Sequence, residues 1–215
     1  MGSLFLVRHA TTEASRAGRN LGQRADPGLT PEGEALAART GAAIAAELAA
    51  LEHDVLRVVT SAQLRSRQTA TAIVSALAPG AGAVPLEVEP ALREIDYGAW
   101  EGLTPEECLA RDPSLRATWE RDPYRTRAPG GESGRDVALR AFPMLEALEA
   151  WLTADRSRGV VAVSHNHVLR LRLTALLGLP LREYRRRVRT DPGAYSLVTF
   201  GGAQPTVRRL NVSAP

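Results

Sequence analysis

Residues 4–13 read Leu-Phe-Leu-Val-Arg-His-Ala-Thr-Thr-Glu, and this stretch decides the fold. Four consecutive apolar residues at 4–7 are typical of a short strand buried on both faces of a parallel sheet. The strand is followed at once by Arg8 and His9, two side chains that bind anions or transfer protons. The stretch therefore predicts a buried strand that delivers functional groups at its carboxyl end.

The same pattern occurs twice more along the chain. An apolar strand at 56–60 leads into Ser61, and another at 160–163 leads into Ser164 and His165. Because the carboxyl ends of parallel strands lie at one edge of a sheet, we expect these polar side chains to meet there.

Segments with helical periodicity separate these strands. The helices are predicted at 31–52, 62–77, 133–154 and 166–177. A loop is predicted at 78–83, a short strand at 84–88, and closing strands at 195–200 and 206–210. This alternation predicts a three-layer α/β/α sandwich with a mostly parallel sheet. One domain should span 1–215, with a small helical cap or lid inserted at about 103–130.

Composition excludes several classes of protein. The 215 residues carry 27 basic and 24 acidic side chains, and every basic one is arginine. The missing lysine argues against Schiff-base enzymes and ordinary P-loop NTPases. The single cysteine excludes an internal disulfide, and no apolar run is long enough for a membrane span. We therefore expect a cytoplasmic protein that contacts neither membrane nor nucleic acid, since a net charge of +3 is small for a nucleic-acid binder.

The predicted sheet edge has the chemistry of an anion site. It brings together Arg8 and His9 after the first strand, Arg65 in the first turn after the second, and His165 after the third. Guanidinium groups and helix N-termini bind phosphate, and an imidazole can act as a nucleophile near neutral pH. The residues alone therefore suggest an enzyme that acts on a phosphate ester.

Five motifs in order resemble the histidine phosphatase superfamily, the phosphoglycerate-mutase-like proteins. They are Leu-Val-Arg-His-Ala-Thr-Thr-Glu at 6–13, Arg-Ser-Arg-Gln-Thr-Ala at 65–70, Leu-Arg-Glu at 92–94 with Tyr-Gly-Ala-Trp-Glu-Gly at 97–102, Pro-Gly-Gly-Glu-Ser at 129–133, and Val-Ser-His at 163–165. The resemblance implies that His9 becomes phosphorylated, that Arg8, Arg65 and His165 hold the phosphoryl oxygens, and that Glu94 is the general acid. It implies no metal and no cofactor.

Further site residues follow from the resemblance. Ser15 and Asn166 stand at positions that contact phosphate in the family, although the family more often has asparagine at the first and glycine at the second. Candidate substrate contacts are Thr12, Gly22, Tyr97 and Arg125. The expected partner is a small phosphorylated metabolite, and a homodimer stays open because the sequence does not fix the oligomeric state.

Hydrolysis is favoured over phosphoglycerate mutase activity. Mutases of the family carry cations for the second acid group of the substrate, and this chain has Ile95, Pro105 and Glu120-Arg121 at the matching positions. The mutase remains the alternative. A non-catalytic phospho-ligand binding module is a second alternative, although the full set of expected catalytic residues argues against it.

A few side chains are better explained by structure than by function. The five arginines within 182–189 fit a solvated helix face that pairs with Glu183, although a nucleic-acid site stays open. Trp100 and Trp119 fit packing positions. His165 and His167 make a poor metal pair, because no third ligand has a matching spacing.

Overall fold

Six strands form one mixed sheet in the computed structural model, which describes residues 1–53, 55–81 and 84–215. The strands are β1 (Gly2–Arg8), β2 (Val55–Thr60), β3 (Leu86–Val88), β4 (Arg158–Ser164), β5 (Tyr195–Phe200) and β6 (Thr206–Val212). Their order across the sheet is β3-β2-β4-β1-β5-β6. The first four in this order are parallel, and β5 and β6 add antiparallel pairs beyond β1. The prediction of a mostly parallel sheet is confirmed.

The three central strands end at the same level. Arg8 of β1 lies opposite Ser164 of β4, and Thr60 of β2 lies opposite Val163 of β4. This register brings the residues that follow each strand to one edge of the sheet, as the sequence predicted.

Helices cover both faces of the sheet. They are α1 (Glu13–Arg16), α2 (Pro31–Leu51), α3 (Leu64–Ala81), α4 (Pro105–Arg111), α5 (Pro113–Arg121), α6 (Gly134–Ala154), α7 (Asn166–Leu176) and α8 (Tyr184–Arg187). Several begin with an N-cap residue: Thr30, Thr104 and Ser133 each accept a hydrogen bond from a backbone N–H of the first turn.

The side chains of β1 show how the layers form. Phe5 and Val7 pack into one core with α2 and α3, whereas Leu4 and Leu6 pack into a second core with α6 and α7. All four are essentially inaccessible to solvent. Alternate side chains of a strand point to opposite faces, so a continuous apolar strand requires a layer of helices on each side. The three-layer α/β/α sandwich is confirmed.

The segment predicted as a cap, together with the residues just before it, contributes to this second core. Trp100 and Trp119 are fully buried and form an edge-to-face pair with ring centroids 5.9 Å apart. The indole N–H of Trp100 donates to Asp112 at 2.7 Å. Both tryptophans are packing residues, as predicted. Movement of the segment as a lid stays a prediction.

One element is longer than predicted. Helix α3 continues to Ala81, so the predicted loop at 78–83 is wrong for its first four residues, and 82–83 lie outside the described residues. Ile73 and Leu77 anchor the preceding turns in the core, and tertiary packing of this kind outweighs local propensity.

Among the described residues, no helix combines the length and the apolar character that crossing a membrane requires.

Candidate active site

The ends of the three central strands are joined by backbone hydrogen bonds. The His9 N–H donates to the Ser164 carbonyl at 3.0 Å, and the Ser61 N–H donates to the Val163 carbonyl at 3.1 Å. These bonds fix the loops after β1, β2 and β4 against one another. A cleft of about 210 Å³ opens beside them.

His9 lies in the wall of this cleft with its tautomer fixed. Its Nδ1 lies 2.8 Å from the Ala10 carbonyl oxygen, which can only accept, so Nδ1 carries the proton. In the neutral ring the lone pair is therefore on Nε2. Burial lowers the pKa of His9 well below its ordinary value, and the positive charges of Arg8 and Arg65 lower it further. The imidazole is accordingly neutral at physiological pH, as a nucleophile must be.

The guanidinium groups of Arg8 and Arg65 lie near His9, and each has an N–H group without a hydrogen-bond partner among the described residues. Arg8 donates to the Thr190 carbonyl at 2.7 Å. Arg65 is fully buried and donates to the Gly22 carbonyl at 3.0 Å, with an ion pair to Asp26 at 3.4 Å. The Nε atoms of both arginines are buried and have no hydrogen-bond partner among the described residues. Unpaired buried donors are costly, and the oxygens of a phosphoryl group would satisfy them.

His165 adds a third buried donor. Its Nε2 lies 2.8 Å from the Ser61 hydroxyl, which also accepts the Gln63 N–H at 3.3 Å. When the Ser61 hydroxyl donates a hydrogen bond to Nε2, the neutral ring carries its proton on Nδ1. That Nδ1 is buried and unpartnered within the described part of the chain. The ring centroids of His9 and His165 are 5.1 Å apart, so the two imidazole rings are neighbours.

Glu94 lines the same cleft as His9 and is 4 % exposed. Its Oε1 accepts the N–H of Ile95 at 2.9 Å and the N–H of His167 at 3.2 Å. Burial raises the pKa of Glu94 above its ordinary value, although these N–H groups and the nearby Arg65 and Arg8 oppose the shift. A carboxyl group that keeps its proton at higher pH is suited to general acid catalysis.

Residues that the sequence analysis did not single out hold the Glu94 backbone. The Gln63 side chain accepts the Glu94 N–H at 2.9 Å, and Gln23 donates to the Glu94 carbonyl at 2.7 Å. Arg140 donates to the same carbonyl and forms an ion pair with Glu132 at 2.8 Å. Of these residues only Glu132 lies within one of the five motifs. Nothing in the sequence around Gln23, Gln63 and Arg140 indicates that they contact Glu94.

Three of the further predicted residues line the cleft: Ser15, Asn166 and Tyr97. The Ser15 hydroxyl is occupied in the α1 capping box with Thr12, donating to its carbonyl and accepting its N–H. Asn166 Oδ1 accepts from the Thr190 hydroxyl at 2.8 Å, which leaves the amide NH₂ as a donor.

The other three predicted substrate contacts lie behind or outside the cleft wall. Thr12 is fully buried and caps α1. Gly22 supports Arg65 through its carbonyl, and a Cβ atom there would lie 2.7 Å from Glu101. Arg125 is exposed, its backbone N–H donates to Asp122 at 3.1 Å, and it is not among the described residues that line the cleft. This geometry gives no support to a substrate contact by Arg125.

The cleft is also lined by residues that the sequence analysis did not predict as site residues, namely Gly18, Arg19, Asn20, Leu21, Pro105 and Arg185. Arg185 belongs to the arginine-rich segment 182–189, which was expected to be a solvated face. Arg182 and Glu183 do form an ion pair, at 3.6 Å, but Arg185 turns inward. A four-residue helix has too few turns for periodicity to reveal its buried side.

His167 forms a hydrogen-bonded chain between two tyrosines. Its Nε2 lies 2.6 Å from the Tyr97 hydroxyl, and its Nδ1 lies 2.6 Å from the Tyr184 hydroxyl. Burial lowers the pKa of His167 well below its ordinary value, so the ring is neutral and donates to one tyrosine while accepting from the other. Both ring nitrogens are thus used in structure.

The whole chain matches a known family. Residues 4–213 match the model of the histidine phosphatase superfamily, branch 1. The chain belongs to this superfamily. The histidine phosphatase is 36% identical over 182 residues to a glucosyl-3-phosphoglycerate phosphatase of Mycolicibacterium vanbaalenii, covering 83% of this chain and 75% of the relative. It is 31% identical over 217 residues to a phosphoserine phosphatase 1 of Hydrogenobacter thermophilus, covering 99% and 93% of the two chains.

A solved structure agrees with these relatives. The histidine phosphatase superposes on a mycobacterial glucosyl-3-phosphoglycerate phosphatase in complex with VO3 with a TM-score of 0.79, at 25% identity, over 99% of this chain and 100% of the other. The prediction of a phosphatase, and hence a hydrolase, is confirmed. Among the described residues of the histidine phosphatase, no three His, Cys, Asp or Glu side chains are grouped to hold a metal ion.

Proposed function

We propose that this histidine phosphatase hydrolyses small phosphorylated metabolites through a phosphohistidine on His9. The observation that carries the proposal is the bond between His9 Nδ1 and the Ala10 carbonyl, because it leaves the lone pair on the buried Nε2. The two relatives named above act, by their names, on phosphate esters of small metabolites. For this chain we propose the same class of substrate, small phosphorylated metabolites.

In the first step His9 Nε2 attacks phosphorus as the ester P–O bond breaks. The N–H groups of Arg8, Arg65 and His165 bind the phosphoryl oxygens and stabilise the charge that spreads over them. Glu94 gives its proton to the leaving oxygen, which departs as an alcohol. His9 Nδ1 keeps its proton throughout and donates it in a hydrogen bond to the Ala10 carbonyl.

In the second step water attacks the phosphorus of phosphohistidine. Glu94, now a carboxylate, takes a proton from the water as the P–N bond breaks. Inorganic phosphate leaves, and both His9 and Glu94 return to their starting protonation states. The guanidinium charges serve both steps, so the proposal requires no metal.

The cytoplasmic location and the homodimer also remain proposals.

The test is phosphate release from p-nitrophenyl phosphate in the presence of EDTA. We expect the wild type to turn over and His9→Ala to lose all measurable activity. His53→Ala, which removes a histidine away from the cleft, should retain it. Acid-labile, base-stable radiolabel should be trapped on the wild type from a ³²P-labelled substrate and should be absent from His9→Ala.

Two results would contradict the proposal. Activity that EDTA abolishes would point to a metal enzyme. Conversion of 3-phosphoglycerate to 2-phosphoglycerate in the presence of 2,3-bisphosphoglycerate, with little free phosphate, would establish the mutase instead. Circular dichroism of each variant checks that the fold is retained.

A further inference from the structure

The cleft carries a guanidinium group that the proposed reaction does not use. Arg185 of α8 lines the same cleft as His9 and Glu94, with 24% of its side chain exposed. Its Nη1 forms an ion pair with Glu120 at 2.8 Å, and its guanidinium lies 4.3 Å from the centroid of the Trp119 ring. Its Nε is buried and has no hydrogen-bond partner in the described structure.

One edge of this guanidinium therefore has no hydrogen-bond partner among the described residues. The Nε–H and the Nη2 group of arginine form a planar fork that matches the two oxygens of a carboxylate. Glu120 occupies Nη1, and no residue of the described chain bonds to Nε or Nη2 of Arg185. The fork is held by its stacking on Trp119, so little side-chain freedom would be lost on binding.

Positive charge is in excess on this wall. Arg170 of α7 has a buried, unpartnered Nε and forms no ion pair with any described residue. Burial lowers the pKa of Arg170, and repulsion from Arg8 and Arg185, which both line the cleft, lowers it further. A phosphoryl group bound by Arg8 would leave the charge of Arg170 and part of that of Arg185 unbalanced.

The position of Arg185 follows from the His167 chain. Tyr184, its neighbour in α8, is bonded to His167, and His167 is bonded to Tyr97 in the cleft wall. This chain ties α8 to the cleft.

We propose that Arg185 binds a carboxylate on the leaving group of the substrate, so that the preferred substrates are phosphomonoesters bearing a nearby carboxylate. This inference rests on the proposed function, because the phosphate must lie at His9. Arg185 of α8 then supplies a positive charge of the kind that the mutases carry at the positions of Ile95, Pro105 and Glu120-Arg121. The role of Arg185 is in binding and selectivity.

Matched substrates provide the test. 3-Phosphoglycerate and glycerol 3-phosphate differ by a carboxylate in place of a hydroxymethyl group, and phosphoserine and phosphoethanolamine differ by a carboxylate in place of hydrogen. We expect the wild type to favour the carboxylate member of each pair in kcat/KM. In Arg185→Gln that ratio should fall by about tenfold or more, because a charged hydrogen bond is lost. Arg185→Lys should give an intermediate ratio.

Arg187→Gln is the matched control, since Arg187 is an exposed arginine of the same helix that does not line the cleft. Its ratio should equal that of the wild type. Titration of 3-phosphoglycerate and of glycerol 3-phosphate onto His9→Ala, with and without Arg185→Gln, measures the same preference without turnover.

The outcomes separate the two proposals. Loss of turnover for every substrate would overturn the proposed function, whereas the titration would still report on the carboxylate preference. Turnover with the same ratio in the wild type and Arg185→Gln would overturn this inference alone. A ratio that falls equally in Arg187→Gln would show a general charge effect and would also overturn it.

Discussion

At the scale of single residues, the protein shifts the pKa values of His9 and Glu94 in opposite directions. Burial disfavours the charged form of either group, which lowers the pKa of an imidazole and raises that of a carboxyl group. Both groups are thereby kept neutral over a wider range of pH. In the proposed mechanism these are the active forms, with His9 as nucleophile and Glu94 as acid.

A pH profile should reveal these two groups. Activity should fall at low pH as His9 becomes protonated, and at high pH as Glu94 loses its proton. In Glu94→Gln we expect kcat for an alkyl phosphate to fall by about 10²- to 10⁴-fold and the Glu94 part of the alkaline limb to disappear. The loss for p-nitrophenyl phosphate should be smaller, because nitrophenolate leaves without a proton.

The comparison of substrates is the control for this prediction. Stopped-flow and steady-state rates across pH 5 to 9 would measure both limbs for each substrate. Equal losses for the alkyl and nitrophenyl esters, with an unchanged alkaline limb, would remove Glu94 from the role of general acid.

Residue-level prediction from the sequence worked where a group directly follows a strand. His9 and His165 lie where β1 and β4 end, so the topology alone brings them together. Arg185 could not be found this way, because its direction depends on contacts with Glu120 and Trp119 that are distant in sequence.

At the scale of elements, the His167 chain joins α7, α8 and the segment before the first tryptophan. Tyr97, His167 and Tyr184 are all buried, so each hydrogen bond in the chain is shielded from water. The two tyrosine rings also contact His167 edge-on, at centroid distances of 5.4 and 5.5 Å. These contacts hold a four-residue helix that has little stability of its own.

Tyr184→Phe should therefore lower stability and loosen α8. The substitution removes the Tyr184 hydroxyl and leaves the buried His167 Nδ1 without its hydrogen-bond partner. We therefore expect a loss of about 1–3 kcal/mol in the free energy of unfolding. Urea denaturation measures it. Tyr195→Phe is the control. The Tyr195 hydroxyl donates to the partly exposed Glu47 at 3.3 Å, so its removal should lower the free energy of unfolding by less. Equal losses in the two variants would contradict a special role for the chain.

Elements were predictable where capping and periodicity agreed. The starts of α2 and α6 follow directly from Thr30-Pro31 and Ser133. The end of α3 was not predictable, because Pro79 and Gly80 read as a loop while packing extends the helix to Ala81. Helix α6 likewise contains Pro143, which shows again that a buried face can outweigh a residue that disfavours helix.

At the scale of the whole molecule, the two cores meet at a sheet whose carboxyl edge is rich in buried ionisable groups. Three of the four histidines, at 9, 165 and 167, are buried with pKa values well below their ordinary value. The family needs this polar edge for its chemistry, and the apolar layers on either side supply the stability that offsets it.

The buried histidines should make the fold sensitive to mild acid. The unfolded chain takes up protons on these side chains below about pH 6.5, whereas the folded chain resists uptake until lower pH. Stability is thus present above that pH and is lost as the pH falls towards the folded-state values. Three protons correspond to at most about 4 kcal/mol per pH unit. Urea denaturation at pH 7.5, 6.5 and 5.5 should show the decline.

Glu94 acts in the opposite sense and provides a matched variant. Its raised pKa means that the folded chain gains a proton before the unfolded chain does, which adds stability as the pH falls. Glu94→Gln removes that gain, so its unfolding free energy should decline more steeply between pH 7.5 and 5.5 than that of the wild type. A flat dependence in Glu94→Gln, where this opposing contribution is gone, would mean that the folded chain protonates its histidines as readily as the unfolded chain does. His9 would then lose, in mild acid, the lone pair that the proposed mechanism requires.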